Sequence, residues 1–387
     1  MLSWLESFFS KKITKTALLA VVTLMATVSL IQGIRNAARD SQDFQWDATK
    51  VFSLGINPYD ESDSMEPSGI LDQYGYDEYY LQMEANQFPS LLMLLLPFVY
   101  LKPLTARYVW IVCNIIFTAL IIWLLRKTFL SNVDSYWFCV LSLLMIAGTP
   151  YRNQIGVGQH TLFAFCFFLI AVYFSEYCEK RSTAITAFAL FVCYFKYTLT
   201  VPLVLYFIYK KRYKEIAFSV IPHIILTGVG AWWLKDSFIN MIIKPLKVSS
   251  SLAAEGGLDI SALLNGSPLA YLVALIIMVG LFIMAIKLPA GYDASLMAVL
   301  VLWSLIITYH RTYDFFVMIA VAGLFTERKR LEYLNLYYII TMLAVFFVLR
   351  VFSESVPSKI CVGAMYYILV LAATYVVARN KNLEAKA

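Results

Sequence analysis

Charge is scarce in this sequence. Only 14% of its 387 residues are Asp, Glu, Lys or Arg, against about a quarter in an ordinary soluble domain. Hydrophobic residues make up 60% and the mean hydropathy is +0.70, a balance that excludes a soluble globular chain. Histidine occurs three times. No HExxH, Walker A, GxSxG or strand-borne GxGxxG pattern is present, so zinc-protease, P-loop, serine-hydrolase and dinucleotide chemistries have no footing. The cysteines Cys113, Cys139, Cys166, Cys178, Cys193 and Cys361 lie in or beside apolar runs without a CxxC pair; neither a disulfide framework nor a thiolate metal site is implied. No internal repeat is evident, which weakens an inverted-repeat transporter reading. The net charge of +6 is scattered in short clusters and forms no basic stripe, so no nucleic-acid partner is expected.

What the chain does have is apolar runs of membrane length along nearly all of it. Spans are predicted at about 17–34, 105–125, 134–149, 160–178, 183–195, 197–209, 215–234, 269–287, 294–308, 312–325, 334–352 and 360–378. This is an all-α polytopic bundle of about twelve crossings, forming one membrane domain over 1–387. Lys11, Lys12 and Lys15 precede Ala17–Ile34, which is too long for a signal-peptide core and reads as an uncleaved first span. With a cytoplasmic N-terminus, Arg126-Lys127, Glu179–Arg181, Lys210–Lys214, Glu327–Arg330 and Arg379–Lys381 all fall inside, as the positive-inside rule asks. The C-terminus is then cytoplasmic too.

That scheme requires Phe88–Leu101 not to cross. It is 14 residues long with Pro89, Pro97 and Pro103 in or beside it, which suits an interfacial or re-entrant segment. The outer surface then comprises a long first loop (35–106), the turn Tyr151–His160, a bend at Lys196, a second loop (235–268) and the turn Tyr309–Arg311.

Polar side chains on that surface are the candidates for chemistry. The first loop carries Asp43, Phe44, Trp46 and Asp47, then Gly55-Ile56-Asn57-Pro58-Tyr59-Asp60. These read either as a solvated turn or as a membrane-surface loop presenting a carboxylate, with Asn57 and Tyr59 beside the substrate. The second turn offers Arg152, Gln159 and His160, read either as a glycine-permitted connection or as a polar contact set. Lys196 stands alone between two apolar runs. An unpaired ammonium at membrane depth costs roughly 2.5–3.5 kcal/mol, so it either snorkels or meets an anion such as phosphate. Tyr309-His310-Arg311-Thr312-Tyr313-Asp314 brings imidazole, guanidinium and carboxylate together, either as a turn with an Arg–Asp pair or as a phosphate clamp. His223, without charged neighbours in its span, reads as structural.

The order Asp43-Phe44, Gly55-x-Asn57-Pro58-Tyr59-Asp60, Phe88-Pro89 with a Leu-rich run to Pro97, Gly158-Gln159, Lys196 and Tyr309-His310-Arg311-x-Tyr313-Asp314 resembles the family 87 glycosyltransferases. These are membrane enzymes of the GT-C type that include bacterial polyprenyl-phosphomannose-dependent mannosyltransferases. The resemblance implies a polyprenyl-phosphate sugar donor, a glycolipid or glycan acceptor on the outer face of a bacterial cytoplasmic membrane, and an aspartate base at the position of Asp43, with Asp47 as fallback. The family's late histidine matches His310. Lys196, Arg311 and Arg152 are the candidate phosphate ligands; Asp47, Asn57, Tyr59, Gln159, His160 and Tyr313 are candidate substrate contacts. The chain departs from better-known members in having Phe-Pro where Pro-Pro is usual and an Arg directly after the histidine. No cofactor or metal is called for. A carboxylate base on one side of the anomeric carbon and cations on the other would support an inverting displacement. The competing functions are a transporter or lipid flippase, in which the same charges gate a path, and a subunit that binds a lipid-linked glycan without turning it over.

Overall fold

The computed structural model describes residues 11–39, 41–62, 85–254 and 293–323, with isolated positions between 259 and 280 and at 343. No strand occurs among the described residues. In chain order the helices are α1 (Lys12–Arg39), α2 (Trp46–Ser53), α3 (Pro58–Ser62), α4 (Pro89–Leu95, continued as a 3-10 turn Leu96–Tyr100), α5 (Pro103–Lys127), α6 (Ser135–Ala147), α7 (Thr149–Gly156) and α8 (Thr161–Val172). They continue with α9 (Thr183–Cys193), α10 (Tyr197–Leu203), α11 (Leu205–Tyr209), α12 (Tyr213–Trp233), α13 (Asn240–Ala254), α14 (Asp293–Ile307) and a 3-10 rod, Thr312–Ala322.

Local sequence explains the ends. Pro89, Pro103 and Pro150 occupy first-turn positions, where a missing N–H costs nothing. The Asp134 carboxylate caps α6 by accepting from the backbone N–H of Tyr136 at 3.0 Å, and Ser182 Oγ caps α9 by accepting from Ile185 N–H. Arg126 and Lys127 close α5 at the negative end of its dipole.

Burial runs opposite to that of a soluble bundle. α1 buries the stripe Val22, Ala26, Ser29, Gly33 and Ala37 but leaves Val21, Leu24, Val28 and Ile31 exposed. α12 likewise exposes Phe218, Ile221, Ile224 and Trp232. Apolar side chains on both faces are stable only where the surroundings are themselves apolar. Among the described residues, four stretches are by length and composition alone sufficient to cross a membrane: Lys12–Arg39, Pro103–Lys127, Thr183–Leu203 and Tyr213–Trp233. At the centre α8, α14 and the 3-10 rod are buried almost throughout, as helices apolar all round must be.

Several predicted boundaries change. α1 extends to Arg39, five residues past the predicted end of the first span, and the described residues that follow it form short helices where a loop was expected. The turn expected over Tyr151–His160 is mostly helix α7. Segment 134–149 is α6, which at 13 residues is shorter than a crossing helix, and 160–178 is one arm of a bent pair, because α7 and the following helix Thr161–Tyr177 meet at 107°. The break falls at Val157–His160, where Gly158 takes φ +69°. Phe88–Leu101 is a short helix and 3-10 turn, below crossing length; Pro89 seats it against α12, where a Cβ at Gly230 would lie 2.8 Å from the proline Cβ. The predicted spans 334–352 and 360–378, most of 269–287, and the clusters Glu327–Arg330 and Arg379–Lys381 lie outside the described residues.

Lys196 marks the point where the chain leaves helical geometry between α9 and α10, at φ −114° and ψ 65°. Thr183, at the start of α9, bonds Glu215 near the start of α12, while Lys210, past α11, pairs with Asp293 at 2.7 Å. The chain therefore returns to its starting level after Lys196. Arg212 pairs with Glu176 at 2.7 Å at that same end. α10 lies along α14, with Thr308 Oγ1 donating to Thr198 O at 2.6 Å.

Candidate active site

Asp43 sits in a 3-10 turn, Gln42–Phe44, between α1 and α2. Both flanking residues, Ser41 (φ 40°) and Gln45 (φ 62°), are left-handed, a conformation that costs a non-glycine residue about 1–3 kcal/mol and persists only where its surroundings enforce it. Phe44 is the anchor. Its ring stacks on Trp110 at 5.0 Å and meets Phe98 edge-on at 5.2 Å. Trp110 and Trp46 donate their indole N–H groups to Gly158 O and Phe98 O, and Asp43 N–H donates to Val157 O at 2.8 Å. Gly158 is required here twice over. Its φ is positive, and a Cβ would press at 3.3 Å on Phe44 and Ser41.

Gln159 then orients the carboxylate. Its Oε1 accepts from His160 N–H at 2.8 Å, which leaves Nε2 to donate to Asp43 Oδ2 at 3.2 Å and to Tyr313 OH at 3.1 Å. Opposite, Lys196 Nζ stands 3.8 Å from Asp314 Oδ1 and 5.4 Å from the centre of the Tyr313 ring. Asp314 is buried and also accepts from Thr161 Oγ1 and from His310 Nδ1, the latter at 2.8 Å. Arg311 does not pair with Asp314. Its Nε donates to Tyr309 OH, a hydroxyl that burial keeps neutral by pushing its pKa up.

Asp43, Gln159, Lys196, Arg311 and Tyr313 line one polar cavity of about 80 Å³, together with Asn86, Gln87, Thr198 and Ser249. It has room for the reacting end of a substrate and not for a whole lipid-linked sugar. Next to it, with Tyr197 on both walls, runs a predominantly apolar groove of about 520 Å³ between α10–α11 and α12.

Other predicted site residues lie off the cavity. His310 is fully buried behind its wall, between Asp314 and Thr308. His160 is buried against Trp110 at 5.3 Å. Asp47 belongs to the first turn of α2. Arg152, on α7, reaches toward Gln32 of α1. Asn57 donates to Asp236 and accepts from Tyr59 N–H, and Tyr59 is buried with its OH donating to Gln87 O at 2.8 Å. His223 ties α12 to α4 and α9: its Nε2 donates to Phe191 O, so its Nδ1 accepts from Ser90 Oγ, both at 2.8 Å. Among the described residues no three His, Cys, Asp or Glu side chains gather into a metal site.

The family model described as Glycosyltransferase family 87 matches residues 89–310, more than half of the chain. The match runs from Pro89 at the start of α4, through Gly158-Gln159 and Lys196, to His310. The chain belongs to glycosyltransferase family 87. No curated protein and no solved structure matches it. This family 87 member is thus a glycosyltransferase with several membrane-length apolar helices, and donor and acceptor substrates follow from that chemistry.

Sequence reading missed Asn86, Gln87, Thr198, Ser249 and Asp259. Asp259 is buried and accepts from His310 N–H. A signal existed for the first two: an uncharged amide pair directly abuts Phe88-Pro89. Thr198 and Ser249 look like ordinary helix polar residues, and only tertiary packing brings them to the cavity.

Proposed function

We propose that this protein moves a hexose, mannose by the family resemblance, from a polyprenyl-phosphate donor to a glycolipid or glycan on the outer face of a bacterial cytoplasmic membrane, with inversion at the anomeric carbon. The observation that carries this reading is a single cavity lined by one oriented carboxylate and two cations, opening beside an apolar groove. Asp43 takes the proton from the acceptor hydroxyl as that oxygen attacks the anomeric carbon. The C–O bond to the lipid phosphate breaks on the far side, and Lys196 and Arg311 receive the departing phosphate charge. His310 acts through Asp314, which it and Thr161 hold beside Lys196. Asp47 is the fallback base, and Tyr313 is a substrate contact. Arg152, Asn57, Tyr59 and His160 support the surrounding walls. Burial among aromatic and aliphatic side chains of the groove suits an isoprenoid chain.

About twelve crossings, counting the short apolar helices, and cytoplasmic N- and C-termini complete the reading. The test is transfer of label from a panel of radiolabelled polyprenyl-phosphate hexoses to envelope lipids by the purified full-length chain. Label transferred from at least one donor supports the reading; no transfer from any donor, with the lipid bound, overturns it in favour of a carrier.

A further inference from the structure

The cavity wall nearest α13 carries no charge and is held with unusual completeness. Gln87 Nε2 donates to Asn86 Oδ1 at 2.9 Å. Tyr197 OH donates to Ser249 Oγ at 3.1 Å, and Ser249 Oγ donates to Asn86 O at 3.3 Å. Beneath them the buried Tyr59 OH donates to Gln87 O. Lys244 bridges Asp60 and Asp236 at 2.6 Å each, so α13 is clamped to α3 and to the end of α12.

After these bonds are counted, specific atoms remain without a hydrogen-bond partner among the described residues. The Asn86 Nδ2 group keeps its two N–H donors, Gln87 Oε1 is a bare acceptor, and Thr198 Oγ1 is a hydroxyl able to do either. All three residues line the cavity, and Gln87 is only 6% exposed. A phosphate group offers acceptors alone, so Gln87 Oε1 would repel it. A polyol both donates and accepts, and matches the set. The cations Lys196 and Arg311 meanwhile form a separate part of the lining.

We propose that Asn86, Gln87 and Thr198 are the residues that recognise the hydroxyl groups of the transferred hexose and set which sugar is accepted, with Tyr59, Ser249 and Tyr197 as their positioning residues. This rests on the donor reading above. It also gives the Asn57-Pro58-Tyr59-Asp60 motif a physical role: Tyr59 fixes the backbone of Gln87, and Asp60 anchors the helix that bears Ser249. A site built to hydrogen-bond a hydroxyl discriminates strongly, because the wrong epimer leaves its buried polar groups unpaired.

The experiment measures binding to the full-length chain in nanodiscs of three lipids: bare polyprenyl phosphate, and two polyprenyl-phosphate hexoses epimeric at one hydroxyl. The wild type is compared with Asn86→Ala, Gln87→Met and Thr198→Val. The expected result is a preference for one epimer over the other that falls about tenfold in at least one variant, while Kd for bare polyprenyl phosphate stays within twofold. An unchanged epimer ratio in all three variants overturns the proposal. So does an equal loss for bare polyprenyl phosphate, which would make the wall a phosphate site, and so does a wild type that binds the hexosyl lipids no better than the bare one. Selective binding of one epimer without transfer to any acceptor would instead defeat the transferase reading and leave the recognition wall standing. Failure of all three lipids to bind would sink both.

Discussion

At the residue scale, the geometry of Asp43 depends on groups that never touch substrate. Phe44 is locked between two aromatic rings, and Gly158 admits the turn against which it rests. Gly158→Ala places a Cβ at 3.3 Å from two neighbours in a left-handed backbone, costing about 1–2 kcal/mol. Activity is expected to fall at least tenfold as Gln159 and Asp43 shift, with membrane insertion intact; a specific-activity assay normalised to folded protein checks this. Lys196→Met removes a cation from the leaving-group side and is expected to lower kcat/KM for a phosphate-linked donor by about 100-fold, measured by steady-state transfer. Asp43, Gln159, Lys196, Arg311 and Tyr313 were legible because charged and amide groups between apolar runs are conspicuous. Thr198 and Ser249 were not, since a small polar residue within a helix carries no such contrast, and Asn86-Gln87 showed only as an amide pair abutting Phe88-Pro89. The partner of Asp314 also escaped the sequence: adjacency suggested Arg311, whereas the fold supplies His310, Thr161 and Lys196.

At the element scale, the clamp among Asp60, Asp236 and Lys244 ties the short α3 and α13 to the end of α12. Burial pushes the Asp236 carboxyl upward, yet hydrogen bonds from Lys244, Asn240 and Ser237 N–H outweigh it and hold its pKa down at about 2. A carboxyl depressed below its unfolded value of about 3.9 stabilises the fold at all pH above that value and loses this contribution as pH falls through 2. Asp236→Asn is therefore expected to lower the melting temperature at pH 7, with the gap to wild type closing between pH 4 and pH 2. Thermal scans in detergent at several pH values check it. Long helices such as α5 and α12 were legible to within two residues, because a long apolar run fixes a helix by itself. The 107° break before α8 was not, because it depends on one glycine conformation and on the pocket around Phe44.

For the whole molecule, the exposed apolar faces of α1 and α12 point to apolar surroundings, and the charge clusters of the sequence predict which way the chain faces. Reporter fusions after Arg330 and after Lys381 are expected to read cytoplasmic and one after Gly257 external; an external reading after Arg330 would invert the scheme. The class of the protein was legible from composition, since a bundle this apolar has no aqueous alternative. The number of crossings was less so, because several apolar runs are shorter than a bilayer is thick and use their hydrophobicity to fill a core shared by α8, α14 and the 3-10 rod.

The central claim is that one carboxylate, Asp43, activates an acceptor against a phosphate-linked sugar. It is tested most directly by single-turnover transfer from a radiolabelled polyprenyl-phosphate hexose with wild type and Asp43→Asn. The account predicts a drop of about 10²–10⁴-fold in the chemical step with donor binding retained. Transfer by Asp43→Asn at the wild-type rate would contradict it.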